Sequence, residues 1–383
     1  MSANYKKLGD YIQPVDVRNS DLKVSHLLGL SIEKCFIESI ANTIGTDFRP
    51  YKIVKKGQFA YGPVTSRNGD KITIALLKEA DVCIISSSYS VFEITDTTKL
   101  LPEYLMLWFS RPEFDRYARY KSHGSVREIF DWDEMCRVEL PVPDLKEQEK
   151  IVNTYKAITK RIQLKQKINK NLEKILCLNY EKIVQGDNND LHTGRIGDYA
   201  IVKSGYAFKS EWWDTKGFKV IKIGNIVNNT IDLESCVKVS EENINKSAEF
   251  FVKTGDLLIA MTGATTGKVG IVPVTNEQIS VNQRTGKFFL GDNPLDKVSY
   301  LFAMMQSSMV KKALTPDGLA GSAQDNLSSD DIQNIEVMYP SQKIIDTYNQ
   351  HFKTLTLKIL QNHNEIARLQ EMKQLVISRI SGI

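Results

Sequence analysis

Histidine and cysteine are both sparse in this chain and fall in no pattern that chemistry requires. The five histidines are scattered with no metal-ligand spacing. The five cysteines, Cys35, Cys83, Cys136, Cys177 and Cys236, are odd in number, and no two sit at CxxC spacing. A disulfide framework and a structural zinc centre are thereby disfavoured, and a reducing, cytoplasmic setting is expected. No run of about 18 apolar residues occurs, so no membrane-spanning helix is expected. The opening MSANYKKLGDYI lacks the apolar stretch of a signal peptide. Catalytic signatures are missing too. An adenine methylase needs an Asn/Asp-Pro-Pro-aromatic loop, and Asn293-Pro294-Leu295 is not one. No glycine-rich strand-to-helix turn suggests S-adenosylmethionine binding. Gly263-Ala264-Thr265-Thr266-Gly267-Lys268 departs from a phosphate-binding loop: three residues separate its glycines and Val269 follows Lys268. Pro143-Asp144 with Glu147 and Glu149 superficially resembles a nuclease motif, but helix capping explains those carboxylates.

What the chain does have is a seven-residue repeat, and it occurs twice. Tyr155, Ile162, Asn169, Leu176 and Ile183 are spaced by seven, as are Tyr348, Leu355, Asn362, Leu369 and Val376, each 193 residues further on. Such a stripe is a coiled-coil seam. The two helices are read as each other's partner, antiparallel or nearly so, with Asn169 and Asn362 setting register; separate amphipathic helices are the alternative. A helix of 38 residues would be about 57 Å long. Lys165 in the seam suggests that the pair needs partners. Lysine and arginine crowd the first helix, from Lys146 through Arg161 to Lys182, against Glu147, Glu149, Glu173 and Glu181, although the whole chain carries only +4. That surplus fits DNA or an acidic partner, or simply a solvated face.

The repeat extends beyond the helices. Leu8-Gly9-Asp10-Tyr11 returns as Ile196-Gly197-Asp198-Tyr199, Lys56-Gly57-Gln58-Phe59 as Thr254-Gly255-Asp256-Leu257, and His123-Gly124-Ser125 as Ala320-Gly321-Ser322. The constant order argues for internal duplication. The expected plan is α/β (α+β): two globular parts, 1–143 and 186–340, and two long helices, 144–185 and 341–383, related by a pseudo-twofold. Strands are expected at Ile72–Leu76, Val82–Ile85, Val220–Ile223 and Leu257–Ala260, and helices around Pro102–Arg119 and Ser299–Lys312. Pro141, Pro143 and Pro340 precede the long helices; Asp144, with Glu147 reaching back, and Ser341 are the expected caps.

These motifs resemble the specificity subunit of type I restriction-modification systems. The resemblance is carried by Leu140-Pro141-Val142-Pro143 with Glu147-Gln148 and Ile151, and by Tyr51-Lys52-Ile53-Val54 with Gly57 and Phe59-Ala60. Gly205-Tyr206-Ala207-Phe208-Lys209-Ser210, Val220 to Ile226, and Thr262 to Gly270 complete it. It spans essentially the whole chain. It implies that each globular part is a target recognition domain reading one half of a split double-stranded DNA sequence, while the helices set the unread gap. It also implies that the helices dock two modification (adenine methyltransferase) subunits, joined by restriction subunits. S-adenosylmethionine, ATP and magnesium are then expected in those partners, with none in this chain. The second helix lacks the Glu-Gln opening of the first, so the two helix starts are expected to dock differently.

Candidate DNA-binding residues follow from residue type. In the first half they are Thr65, Ser66, Arg67, Asn68 and Lys71, with Lys121, Ser125 and Arg127. In the second they are Lys209, Thr262, Thr265, Thr266, Lys268, Asn282, Gln283, Arg284, Ser322 and Gln324. Asn68-Gly69 is a hairpin-turn signal. Arg, Asn and Gln pair bidentately with guanine or adenine, and Lys and hydroxyls suit phosphates. Plain surface turns, a self-contained DNA-modifying enzyme and a protein-binding scaffold are the competing readings.

Overall fold

The computed structural model describes residues 5–39, 44–66, 68–124, 127–186, 191–314 and 326–380. Two compact units emerge: residues 1–161 with 369–383, and residues 162–368. Their boundary falls inside both long helices, Leu145–Gln185 and Gln342–Arg379.

In the first unit, a four-stranded antiparallel sheet runs in the order Ile12–Val15, Ser90–Ile94, Phe59–Tyr61, Ile74–Leu76. Its apolar face stacks Phe59 on Phe92 at 4.9 Å, with Phe109 edge-on to both. The expected single helix over Pro102–Arg119 is in fact two, Pro102–Phe109 and Pro112–Lys121. Pro112 cannot donate to the preceding turn and holds Arg111 extended, so it starts a new helix. The second unit has a six-stranded mixed sheet and a three-stranded one. Its helix over Ser299–Lys312 also splits, into Val298–Gln306 and Ser308–Ala313. Ser307 is extended there and accepts from the Val310 amide, capping the second piece.

The duplication is visible in hydrogen bonds. Tyr5–Lys7 pairs with Glu139–Pro141, and His192–Arg195 with Glu336–Tyr339, both antiparallel. The Leu8 amide donates to the Val138 carbonyl at 2.7 Å, and Ile196 to Ile335 at 3.0 Å. Gly57 and Gly255 take φ of 88° and 89°, a conformation that costs glycine little. Each follows an amide that donates to the side chain three residues on, Lys55 to Gln58 and Lys253 to Asp256.

The helices pair antiparallel within each unit. In the first, Val152 and Ile380 share one core, and the Lys373 ammonium lies 5.0 Å from the Tyr155 ring. In the second, the Tyr348 hydroxyl donates to the Leu176 carbonyl. Asn362 Nδ2 donates to Asn169 Oδ1 at 2.8 Å, as the seam predicts, and Asn169 Nδ2 donates to the Ile359 carbonyl. Lys165 does not await a partner: it donates to Asn362 Oδ1 at 3.0 Å and pairs with Glu365 at 2.7 Å. Asp144 caps the first helix through the Glu147 amide. The Glu147 carboxylate does not complete a capping box but pairs with Lys150. No cap from the Ser341 side chain is seen among the described residues; its carbonyl accepts from Ile344 and Ile345. Gln148, wholly buried, clasps the helix start by accepting from the Leu101 amide and donating to the Lys99 and Pro143 carbonyls.

Candidate nucleic-acid interface

Strand register decides which loops meet. In the six-stranded sheet, Ala260 faces Thr285, Ser204 faces Gly286, and Ile259 faces Val269. The segments after Ser204, between Ala260 and Val269, and before Thr285 therefore leave by one edge. That edge carries the stretch Thr262–Lys268 and the stretch Asn282–Arg284, and the segment leading to Lys209 starts from it, bringing two separate sequence candidates together. The Met261 amide donates to the Arg284 carbonyl at 3.0 Å, and Gln283 to Tyr206 at 2.9 Å, tying these loops together.

Within this edge the candidates differ. Lys209, Lys268, Gln283 and Arg284 are exposed, and Thr265 and Thr266 half-buried. Asn282 is buried, and its side chain accepts from the Arg284 amide, so it shapes the turn rather than facing a ligand. Thr266 turns its hydroxyl onto the Gly263 carbonyl at 2.6 Å. The Thr262 hydroxyl is buried and points away from solvent. Gly263 and Gly267, at φ 76° and 80°, let the chain turn back between two antiparallel strands.

Thr265, Thr266 and Lys268 also form one wall of an open cleft of about 670 Å³. The same cleft is lined by Asn228 and Asn229, both left-handed, and by Gln306 and Lys311. Asn229 is fixed from two sides, donating to Glu173 at 2.8 Å and accepting from Gln306 at 3.3 Å. Burial raises the Glu173 carboxyl above its ordinary value. Beside Lys209 lies a cation–aromatic cluster: Lys209 and Lys246 approach the Trp212 ring at 5.5 and 4.9 Å, and Lys222 approaches Trp213 at 3.9 Å. Burial holds the Lys222 ammonium below its usual pKa. Sequence reasoning missed these tryptophans, although Trp212-Trp213 between lysines is a signal for stacking. Asn228 and Lys311 carried no sequence signal, since only folding brings them to the cleft.

In the first unit residues 63–66 are zipped to residues 122–124 and 127–130. Thr65 donates from its amide to the Glu128 carbonyl, and Phe130 to Pro63. Thr65 is 1% exposed and donates its hydroxyl to Ser122, so it locks the two stretches together and is not available to DNA. Asn68-Gly69 does not make a two-residue hairpin: the flanking strands end at Tyr61 and begin at Ile74. Instead the Lys71 amide closes a turn onto the Asn68 carbonyl, and Asn68 Nδ2 donates to Val64. Lys71 is paired with Glu33 at 2.8 Å. Ser66 and Arg127 are exposed, and Lys121 is half-buried. Tyr120, 80% exposed beside Lys121, is an aromatic that the sequence reading passed over. Arg67, Ser125, Ser322 and Gln324 lie outside the described residues.

Known proteins supply the context for these loops. The profile of the type I restriction modification DNA specificity domain matches residues 42–174 and 188–375, once in each half. The chain belongs to this family. Relatives of this specificity-domain chain include the type I restriction enzyme MjaVIII specificity subunit of Methanocaldococcus jannaschii, 22% identical over 76% of this chain and 72% of the relative. The HindI specificity subunit of Haemophilus influenzae is 19% identical over 86% of each chain. Among solved structures, the S subunit of a type I restriction-modification system from M. genitalium shares the fold, with TM-score 0.59, 13% identity, and coverage of 99% of this chain and 96% of that one. Among the described residues of this specificity-domain chain, no helix is long and apolar enough to cross a membrane, and no cluster of three His, Cys, Asp or Glu side chains could hold a metal ion.

Proposed function

We propose that this chain is the non-catalytic DNA-reading subunit of a type I restriction-modification complex. Each globular part reads one half of a split double-stranded target, and the helix pair sets the gap and carries two modification subunits. Restriction subunits join that assembly. Methyl transfer from S-adenosylmethionine and ATP- and magnesium-dependent work belong to the partners. The observation that carries the reading is the single sheet edge that gathers Thr265, Lys268, Gln283 and Arg284. Exposed Arg284 and Gln283 are suited to paired hydrogen bonds with guanine O6/N7 and adenine N6/N7. Lys268 and Lys209 suit phosphates, which position the duplex without specifying sequence.

The test is adenine-methylation mapping of the source genome with and without this gene, with the partner subunits confirmed as expressed. Loss of methylation at one bipartite motif with a fixed gap is expected. An unchanged methylome with all partners present would overturn the reading and favour a protein-binding scaffold.

A further inference from the structure

Leu164, Ile168, Ile175 and Leu178 of the first long helix are 52, 44, 41 and 44% exposed. At 100° per residue they fall within about 80° of one another, on the side away from the seam formed by Ile162, Asn169 and Leu176. Exposed Lys167, Lys170 and Lys174 follow one border of this stripe. None of the three is in an ion pair among the described residues. The positions 193 residues further on hold Leu357, Gln361, Arg368 and Glu371, so the duplicate face is mostly polar. Its border is equally changed: Leu360 is buried, and His363 and Ala367 replace the other two lysines.

An exposed apolar stripe on a soluble helix marks an interaction site. DNA gains nothing from leucine and isoleucine at this spacing. A second copy of this chain, packed antiparallel as its own helices are, would set one lysine border beside another. The occupant that satisfies both features is a protein presenting an apolar helix face edged by aspartate or glutamate. We propose that the two docking faces of the helix pair are unequal. The face Leu164–Leu178 binds one modification subunit tightly through such an acidic-edged apolar surface, and the duplicate face binds the second weakly. This rests on the reading that the helix pair carries two such subunits.

The experiment titrates the full chain with its cognate modification subunit, following the stoichiometry by native mass spectrometry across a dilution series. Two binding steps separated by at least about tenfold in Kd are expected, with a one-to-one species on dilution. Ile168→Asp with Ile175→Asp should weaken the tighter step by at least about tenfold. Lys167→Glu with Lys174→Glu should weaken it and reduce its salt dependence. Gln361→Asp with Arg368→Asp should touch only the weaker step. Hydrogen exchange should show protection over 160–180 in the one-to-one complex, and matching melting curves for the free variants exclude misfolding. Two equal steps, or a tighter step indifferent to the Ile168/Ile175 change in a folded variant, overturn the inference while the functional reading stands. A parent chain that binds no modification subunit overturns both.

Discussion

The two halves agree where a strand hands over to a long helix and disagree where the helix meets the globular part. Leu8 to Val138 and Ile196 to Ile335 are the same bond made twice. Beyond that junction, the first unit grips its helix with Gln148, while the second uses Asn349, which accepts from the Tyr300 amide and donates to the Tyr199 hydroxyl. A Ser299–Thr356 hydroxyl pair at 2.7 Å adds to the second grip. The sheets diverge further, four strands against six, and with them the loops they support. A duplicated backbone thus keeps one joint while the polar anchors and the loop-bearing sheets differ, as the proposed reading of two unlike half-sites requires.

Breaking the grips separates the halves most sharply. Gln148→Ala removes three hydrogen bonds to part-buried backbone groups and leaves a gap at a buried position, and should destabilise the first unit by about 2–3 kcal/mol. Asn349→Ala should act on the second by about 1–2 kcal/mol; hydrogen exchange resolved by residue tells the two apart. His363 sharpens the contrast between the helices, because the matching position of the first helix holds exposed Lys170. Burial pushes the imidazole down from its ordinary 6.5 to about 4. The unfolded chain therefore binds more protons between those values. The second unit should keep its full stability above about pH 6.5 and lose about 3 kcal/mol at most as pH falls to about 4. His363→Gln should flatten that dependence in a denaturant titration at several pH values.

Smaller effects probe the seam and the edge. Asn362→Leu leaves Asn169 and Lys165 short of partners and should cost about 2 kcal/mol, whereas pairing it with Asn169→Leu should recover much of that and loosen the register. Cross-linking yields between cysteines placed along the two helices would report the loss of register. Arg284→Ala should cost about 1–3 kcal/mol of binding and relax one target position in the assembled complex. Lys268→Ala should weaken all sequences alike and lower the salt slope by about 1. If Arg284→Ala weakens every sequence equally, it is a phosphate contact and the base-reading role passes to Gln283.

Much of this was written in the chain. Seven-residue spacing placed the seam residues, and Val82–Ile85 and Leu257–Ala260 form strands at the expected positions. Local breaks were harder to read: Pro112 and Ser307 split helices whose apolar pattern runs on through them. Site residues were the least legible, because hydroxyl and amide side chains serve turns as readily as ligands. Thr65 and Asn282 went to the turns, and Arg284 and Lys268 stayed outside.

By itself the sequence determined the duplication, the two long helices and the asparagine pair, since periodicity and order are local properties that survive without coordinates. The tertiary structure alone decided that Lys165 finds Glu365, and that Gln148 clasps residues almost fifty positions away. It also decided that three distant loops share one sheet edge. Those outcomes depend on strand register and on which buried groups lack a partner, and both are set only when distant parts of the chain compete for the same hydrogen bonds.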